Sequence, residues 1–240
     1  MSPSAQADSL EVHLLGLADY DAVTALQQRL VYEISGRVDT QGTLLLCEHP
    51  PVITIGREGS RTDVLADPQT LQGCAVEVRW VARGGGALMH APGQLAVYPV
   101  LPLDRLGLGV SEFRSRVEES LAAACREATV VPKRTAEAPG LWCRGGQLAS
   151  LGAAVKSGVS LHGAFLNVCP DPSFLCMVDS WPTGERVTSL EMERCRPVSM
   201  PLIREAVLRH FAQSFGYDRM HAYTGHPLLQ RRMRQVCLHA

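Results

Sequence analysis

Two stretches of this chain are apolar along one side at helical spacing, and the runs between them read mostly as strands. Val23, Leu26, Leu30 and Ile34 follow Asp21, a candidate N-cap, and stop at Gly36. Phe113, Val117, Leu121 and Cys125 repeat every four residues behind Ser111, a second candidate cap, and form a stripe fit to lie on a sheet. A third amphipathic segment runs from Pro201 to Phe215 and ends at Gly216. Around these helices lie the strand patterns of Leu44–Glu48, Val52–Ile55, Val76–Trp80 and Leu95–Val100. Gln147–Val168 reads as two strands turning near Ser157-Gly158. His49-Pro-Pro51 forces an extended link between the first two. Strands in runs, with helices spaced unequally among them, specify an α+β fold: a mixed or antiparallel sheet flanked by helices.

At 240 residues the chain is long enough for one domain with a substantial core, taken here as residues 11–240 after a disordered start at 1–10. Its 23 basic and 24 acidic residues give a net charge of −1, which disfavours a nucleic-acid partner. There is no secretory leader pattern at the start and no apolar run long enough for a membrane span, so a cytoplasmic protein without a membrane partner is expected. The eight cysteines form no metal-binding spacing and read as reduced thiols, mostly small core residues. Lys133 and Lys156 are the sole lysines, and Lys156 reads as a solvated charge at a turn. His13, His221 and His239 read as surface residues.

The densest chemical signal is Arg83-Gly-Gly-Gly-Ala-Leu-Met-His-Ala-Pro-Gly-Gln94, set between two strands. Glycines in a row let the backbone approach a ligand closely, and their amides can donate to its oxygens. Arg83 adds a fixed charge, and His90 can orient a substrate or move a proton.

This segment resembles the Arg-Gly-Gly-x-x-x-x-His-x-Pro-Gly-Gln signature of the octanoyltransferases of lipoate biosynthesis. Glu48-His-Pro-Pro-Val52 with Gly56-Arg57, Ser150-Leu-Gly152, Leu161-His-Gly163 with Asn167, and Val187-Thr-Ser-Leu190 match further landmarks in the same order, over residues 40 to 215. The resemblance implies the fold of biotin and lipoate ligase catalytic domains. The implied reaction moves an octanoyl group from acyl carrier protein to a lysine of a lipoyl domain or glycine cleavage H protein, with no metal or nucleotide cofactor. It also implies an acyl pocket lined by Arg83, Gly84, Gly85, Gly86, Ala87, Leu88, Met89 and His90, by Ser150, Leu151 and Gly152, and by His162, Gly163 and Ala164. Ala91 replaces a glycine that the family carries after the histidine.

Two positions depart from the family pattern in a way that bears on chemistry. Ser180 stands where the family carries its nucleophilic cysteine, and Gln147 where it carries an activating lysine. A serine hydroxyl needs a positioned base, and glutamine donates a hydrogen bond without charge. Three accounts follow: Ser180 carries the acyl group with His90 or His162 as base; Cys176 substitutes as nucleophile; or the pocket binds without turnover. As a plain residue, Cys176 reads as a small buried side chain beside Leu175 and Met177. An ATP-using lipoate ligase is the competing enzyme class. Arg57, Arg61, Arg83 and Arg144 are candidates for guiding acidic partner domains.

Overall fold

The computed structural model describes residues 9–135, 139–179 and 186–229. A seven-stranded sheet forms the body. Its strands are β1 (Leu10–Leu17), β2 (Gly42–Glu48), β6 (Gln94–Val100), β7 (Gly140–Cys143), β8 (Gly146–Lys156), β9 (Val159–Asn167) and β10 (Met220–Thr224). They lie in the order β10-β1-β2-β6-β9-β8-β7. β1 runs parallel to both β10 and β2, and the remaining pairs are antiparallel. A smaller sheet joins β3 (Val52–Ile55), β4 (Glu77–Trp80) and β5 (Ala87–His90) in the order β4-β3-β5.

One face of the large sheet is covered by α3 (Val110–Glu127) and α6 (Met200–Phe215), whose Phe113, Phe211 and Phe215 pack with Leu44, Val97 and Leu166. The other face carries α1 (Tyr20–Ser35), with Val23, Leu26, Leu30 and Ile34 against Leu45, Tyr98 and Phe165. Both predicted apolar stripes are therefore buried, on opposite faces. A third cluster lies under the small sheet, where Ile53, Ile55 and Met89 meet Leu71 of α2 (Pro68–Gly73) and the Met177-Val178 segment. The β8–β9 turn sits where expected: Ser157 and Gly158 have φ of 51° and 75°, the left-handed pair that matches strand twist in a two-residue hairpin.

The details differ from the sequence reading in several places. Asp19, not Asp21, caps α1, accepting from the Ala22 N–H at 2.9 Å; Asp21 sits in the first turn, where its charge favours the helix dipole. Gly109 precedes α3 without a side-chain cap, and Ser111 lies inside the helix. Leu10, assigned to a disordered start, begins β1 and is fully buried between Gly42 and Met220. Trp80 is 66 % exposed because β4 is an edge strand of the small sheet. Of the described cysteines only Cys47 and Cys125 are buried; Cys74, Cys176 and Cys195 are exposed. His13 is buried, its Nδ1 at 2.9 Å from the Gly225 carbonyl and its ring stacked on Tyr223. No helix among the described residues is long and apolar enough to cross a membrane, and none of these residues form a metal-binding cluster.

Candidate active site

The glycine loop is held from beneath by Arg83, whose side chain is fully buried. Its guanidinium donates to the Gly84 carbonyl at 2.9 Å, the Gly86 carbonyl at 2.8 Å and the Thr54 carbonyl at 2.9 Å, and also to Thr54 Oγ1 at 2.8 Å. Burial lowers its pKa to about 10, so it stays charged at neutral pH. The expectation that Arg83 guides partner domains is therefore corrected: it is sealed inside and braces the loop that bears it.

Neighbouring glycines let the loop seat closely. A Cβ at Gly56 would stand 2.3 Å from the Gly85 carbonyl oxygen, and one at Gly152 would stand 2.6 Å from the Gly84 oxygen. Gly84 differs. A Cβ there would meet nothing nearer than the Ala153 carbonyl oxygen at 3.5 Å, an ordinary van der Waals contact, and its φ is not in the left-handed region.

Behind the loop runs a chain of buried polar groups whose donors and acceptors can be assigned in order. Thr54 Oγ1 accepts from Arg83, so its hydroxyl donates to His90 Nε2 at 2.9 Å. His90 Nδ1–H then donates to Gln94 Oε1 at 2.9 Å. Gln94 Nε2 donates to the Met89 carbonyl at 3.1 Å and to Asn167 Oδ1 at 2.9 Å, and Asn167 Nδ2 donates to the Thr188 carbonyl at 3.1 Å. Gln94 and Asn167 are direct cross-strand partners of β6 and β9, which places both side chains on one face. Burial, then the nearby His49 and Arg83 charges, push the His90 pKa well below the usual histidine value. Both nitrogens are thus engaged and the ring is kept neutral, an arrangement that suits the orienting one of the two roles the sequence offered for His90.

In front of this chain opens a two-lobed cleft. One lobe is walled by Met89, Leu175, Val178 and Val187 over a polar floor of Gln94 and Asn167. The other is walled by Gly84–Gly86, Pro139 and Leu151. Leu88, Gln147 and Ser150 belong to both and form the junction. As they stand, the lobes are shallow, each with room for about one water molecule.

A family model of the lipoyl protein ligase A/B catalytic domain matches residues 19–212. The octanoyltransferase of Syntrophotalea carbinolica is 37 % identical over 203 residues, covering 84 % of this chain and 92 % of the relative. That of Alkaliphilus metalliredigens is 33 % identical over 211 residues, covering 87 % of this chain and 96 % of the relative. The chain belongs to the octanoyltransferases of this family. The fold agrees: the bipartite lipoate protein ligase of Thermoplasma acidophilum superposes with a TM-score of 0.74 at 18 % identity, over 92 % of this chain and 89 % of that one.

Within this octanoyltransferase, the structure brings Arg83–Gly86, Leu88, Met89, Ser150 and Leu151 to the cleft, with Gln147 at its centre. Gly152 lies beneath the glycine loop and Ala87 in the core of the small sheet. The second half of the expected pocket falls elsewhere. Ala164 packs into the main core, and a Cβ on Gly163 would meet the Val97 carbonyl oxygen at 2.1 Å, so that glycine serves close strand contact. His162, with φ of 60°, lines neither lobe; it pairs with Ala153 across the strands, and its N–H donates to Gln27 Oε1 at 2.8 Å. Burial first, then Arg83 and Arg57, lower its pKa to about 4.

Cys176 ends the short helix α4 (Pro172–Leu175); it is exposed, whereas the sequence placed it inside. It does not line either lobe, although its neighbours Leu175 and Val178 do. Ser180 lies outside the described residues. Thr54 is the member of the buried chain that sequence reasoning missed. A lone hydroxyl in Val52-Ile-Thr-Ile55 was the available signal, since alternation turns it away from the side of Ile53 and Ile55.

Proposed function

We propose that this octanoyltransferase moves an octanoyl group from the thioester of acyl carrier protein to a lysine of a lipoyl domain or glycine cleavage H protein. The setting is lipoate biosynthesis in the cytoplasm. The observation that carries the reading is the junction of the cleft, where Gln147 and Ser150 stand between an apolar lobe and a glycine-lined lobe. A medium-length chain needs an apolar wall. The group that delivers or receives it needs close approach to backbone, which the glycines lining the second lobe allow. The thioester brings its own activation, so the reading requires no nucleotide. Exposed Arg57, Arg61 and Arg144, none paired with a carboxylate among the described residues, suit acidic carrier and acceptor domains.

The test is an intact-mass assay of a lipoyl domain incubated with the protein and either octanoyl-acyl carrier protein or octanoate plus ATP. Octanoylation with the thioester alone is the expected result. Octanoylation with octanoate and ATP alone would make the protein a ligase, and none with either donor would leave it a binding protein.

A further inference from the structure

We infer that Glu193 sets the acyl-chain selectivity of the transfer: by clamping Thr188 to the turn between β7 and β8 it fixes the Val187 wall of the apolar lobe, and so limits the length of chain the lobe accepts. Glu193 lines neither lobe and acts through its neighbours, as a positioning residue. The inference rests on the octanoyl transfer proposed above and adds the source of its chain-length preference.

Just after Val187 the chain enters the short helix α5 (Leu190–Arg194), which Ser189 caps by accepting from the Met192 N–H at 3.2 Å. This helical turn brings the Glu193 carboxylate back to Thr188. Its Oε1 accepts from the Thr188 hydroxyl at 2.8 Å and from the Gly145 N–H at 2.9 Å, so one oxygen joins the segment to the turn between β7 and β8. Hydrogen bonds to a carboxylate are roughly twice as strong as those between neutral groups. The turn is shaped to receive it. A Cβ on Gly145 would run into Glu193 Oε1 and stand 2.8 Å from Thr188 Oγ1. One on Gly146, whose φ is 128°, would run into the Arg186 carbonyl. The two glycines thus let the turn lie directly against this segment.

Thr188 is only 1 % exposed, and each of its polar groups is engaged. Its hydroxyl meets Glu193, its N–H donates to the Gln147 carbonyl at 2.9 Å, and its carbonyl accepts from Asn167 Nδ2 at 3.1 Å. On the other side of Val187, the Arg186 carbonyl accepts from the Gln147 N–H at 2.7 Å. Val187 stands between these ties, bridged in parallel to Gln147, and lines the lobe. Because the lobe is shallow, an acyl chain makes room in it by displacing walls. A wall whose next residue is held at backbone and side chain alike yields little, and the depth open to the chain is set there. A pocket of fixed depth discriminates by about 10-fold or more for each methylene beyond its reach.

The test compares kcat/KM for octanoyl-, decanoyl- and dodecanoyl-acyl carrier protein, with a lipoyl domain as acceptor and its intact mass as readout. The wild type is expected to favour octanoyl over decanoyl by about 10-fold or more. Glu193→Ala and Thr188→Val each remove the bond between hydroxyl and carboxylate, and are expected to lower that ratio by about 5-fold or more. Glu193→Gln keeps an oxygen that accepts both bonds and is expected to hold the ratio within about 2-fold of the wild type. Lost stability alone slows all donors by one factor and leaves the ratio where it was, so the ratio separates positioning from folding. A ratio unchanged in both broken variants overturns the inference. So does a wild type that takes the three lengths alike, or a Glu193→Gln protein as unselective as Glu193→Ala. Each of these results leaves acyl transfer standing. Absence of any acylated lipoyl domain with the wild type and every donor removes the transfer and the inference together.

Discussion

Thr54 Oγ1 and His90 Nε2 stand 2.9 Å apart, and because the same oxygen accepts from Arg83, the proton between them belongs to threonine. This one hydroxyl fixes the histidine tautomer and ties the loop-bracing arginine to the chain ending at Thr188. Thr54→Val keeps the shape and removes the hydroxyl, leaving a buried imidazole nitrogen and part of a buried guanidinium unpaired. We expect a loss of about 2–4 kcal/mol in urea unfolding, with Thr54→Ser close to wild type. A Thr54→Val protein as stable as its parent would refute the assigned order of donors.

The histidines set a second expectation. His49 and His162 are held neutral with pKa values near 4, both chiefly by burial, and burial also pushes His90 well below the usual histidine value. Their folded values are below the unfolded value of about 6.5, so the unfolded chain binds more protons as pH falls. Their contribution is complete above about pH 7 and is lost as pH drops from 6.5 toward 4, at up to about 1.4 kcal/mol per pH unit for each histidine. Unfolding free energies at pH 7.5 and pH 5 should differ by several kcal/mol; a flat profile would place these rings in contact with water.

Two glycines on either side of the same carbonyl should behave oppositely. Gly152→Ala drives a methyl to 2.6 Å from the Gly84 oxygen and is expected to cost about 1–3 kcal/mol of stability. Gly84→Ala meets no atom closer than 3.5 Å and has no left-handed φ to strain, so its thermal midpoint should hardly move. Equal thermal losses in the two variants would refute this difference in contact.

Reversing charge at Arg57 and Arg144 tests the partner surface. Arg57→Glu and Arg144→Glu should raise the KM for acyl carrier protein and flatten its dependence on salt, leaving kcat near wild type. A KM that ignores both changes would move the docking surface elsewhere.

Periodicity revealed the helices because their apolar stripes answer to a single buried face each: Val23 to Ile34 on one side of the large sheet, Phe113 to Cys125 on the other. β1 and β10 were invisible for the opposite reason. Leu10–Leu17 mixes buried and exposed residues, and Met220–Thr224 is exposed throughout, so the parallel register that pairs them leaves little mark on composition. The glycine loop and Ser150 reached the cleft because close backbone approach leaves a plain signal in residue size. His162 did not, and its left-handed φ, which no local pattern announces, is the one feature that sets it apart within β9. Capping failed at Asp21 and Ser111 by two residues: α1 uses the earlier of two aspartates, Asp19, and α3 starts after Gly109 with no side-chain cap to announce it.

Arg83 carries a consequence beyond bracing. Its charge is balanced by carbonyl dipoles, and among the described residues no carboxylate forms an ion pair with it. In a poorly polarisable interior such a field reaches farther than it would at the surface. The cleft is thereby permanently biased toward whatever gains negative charge while reacting, before any partner has docked.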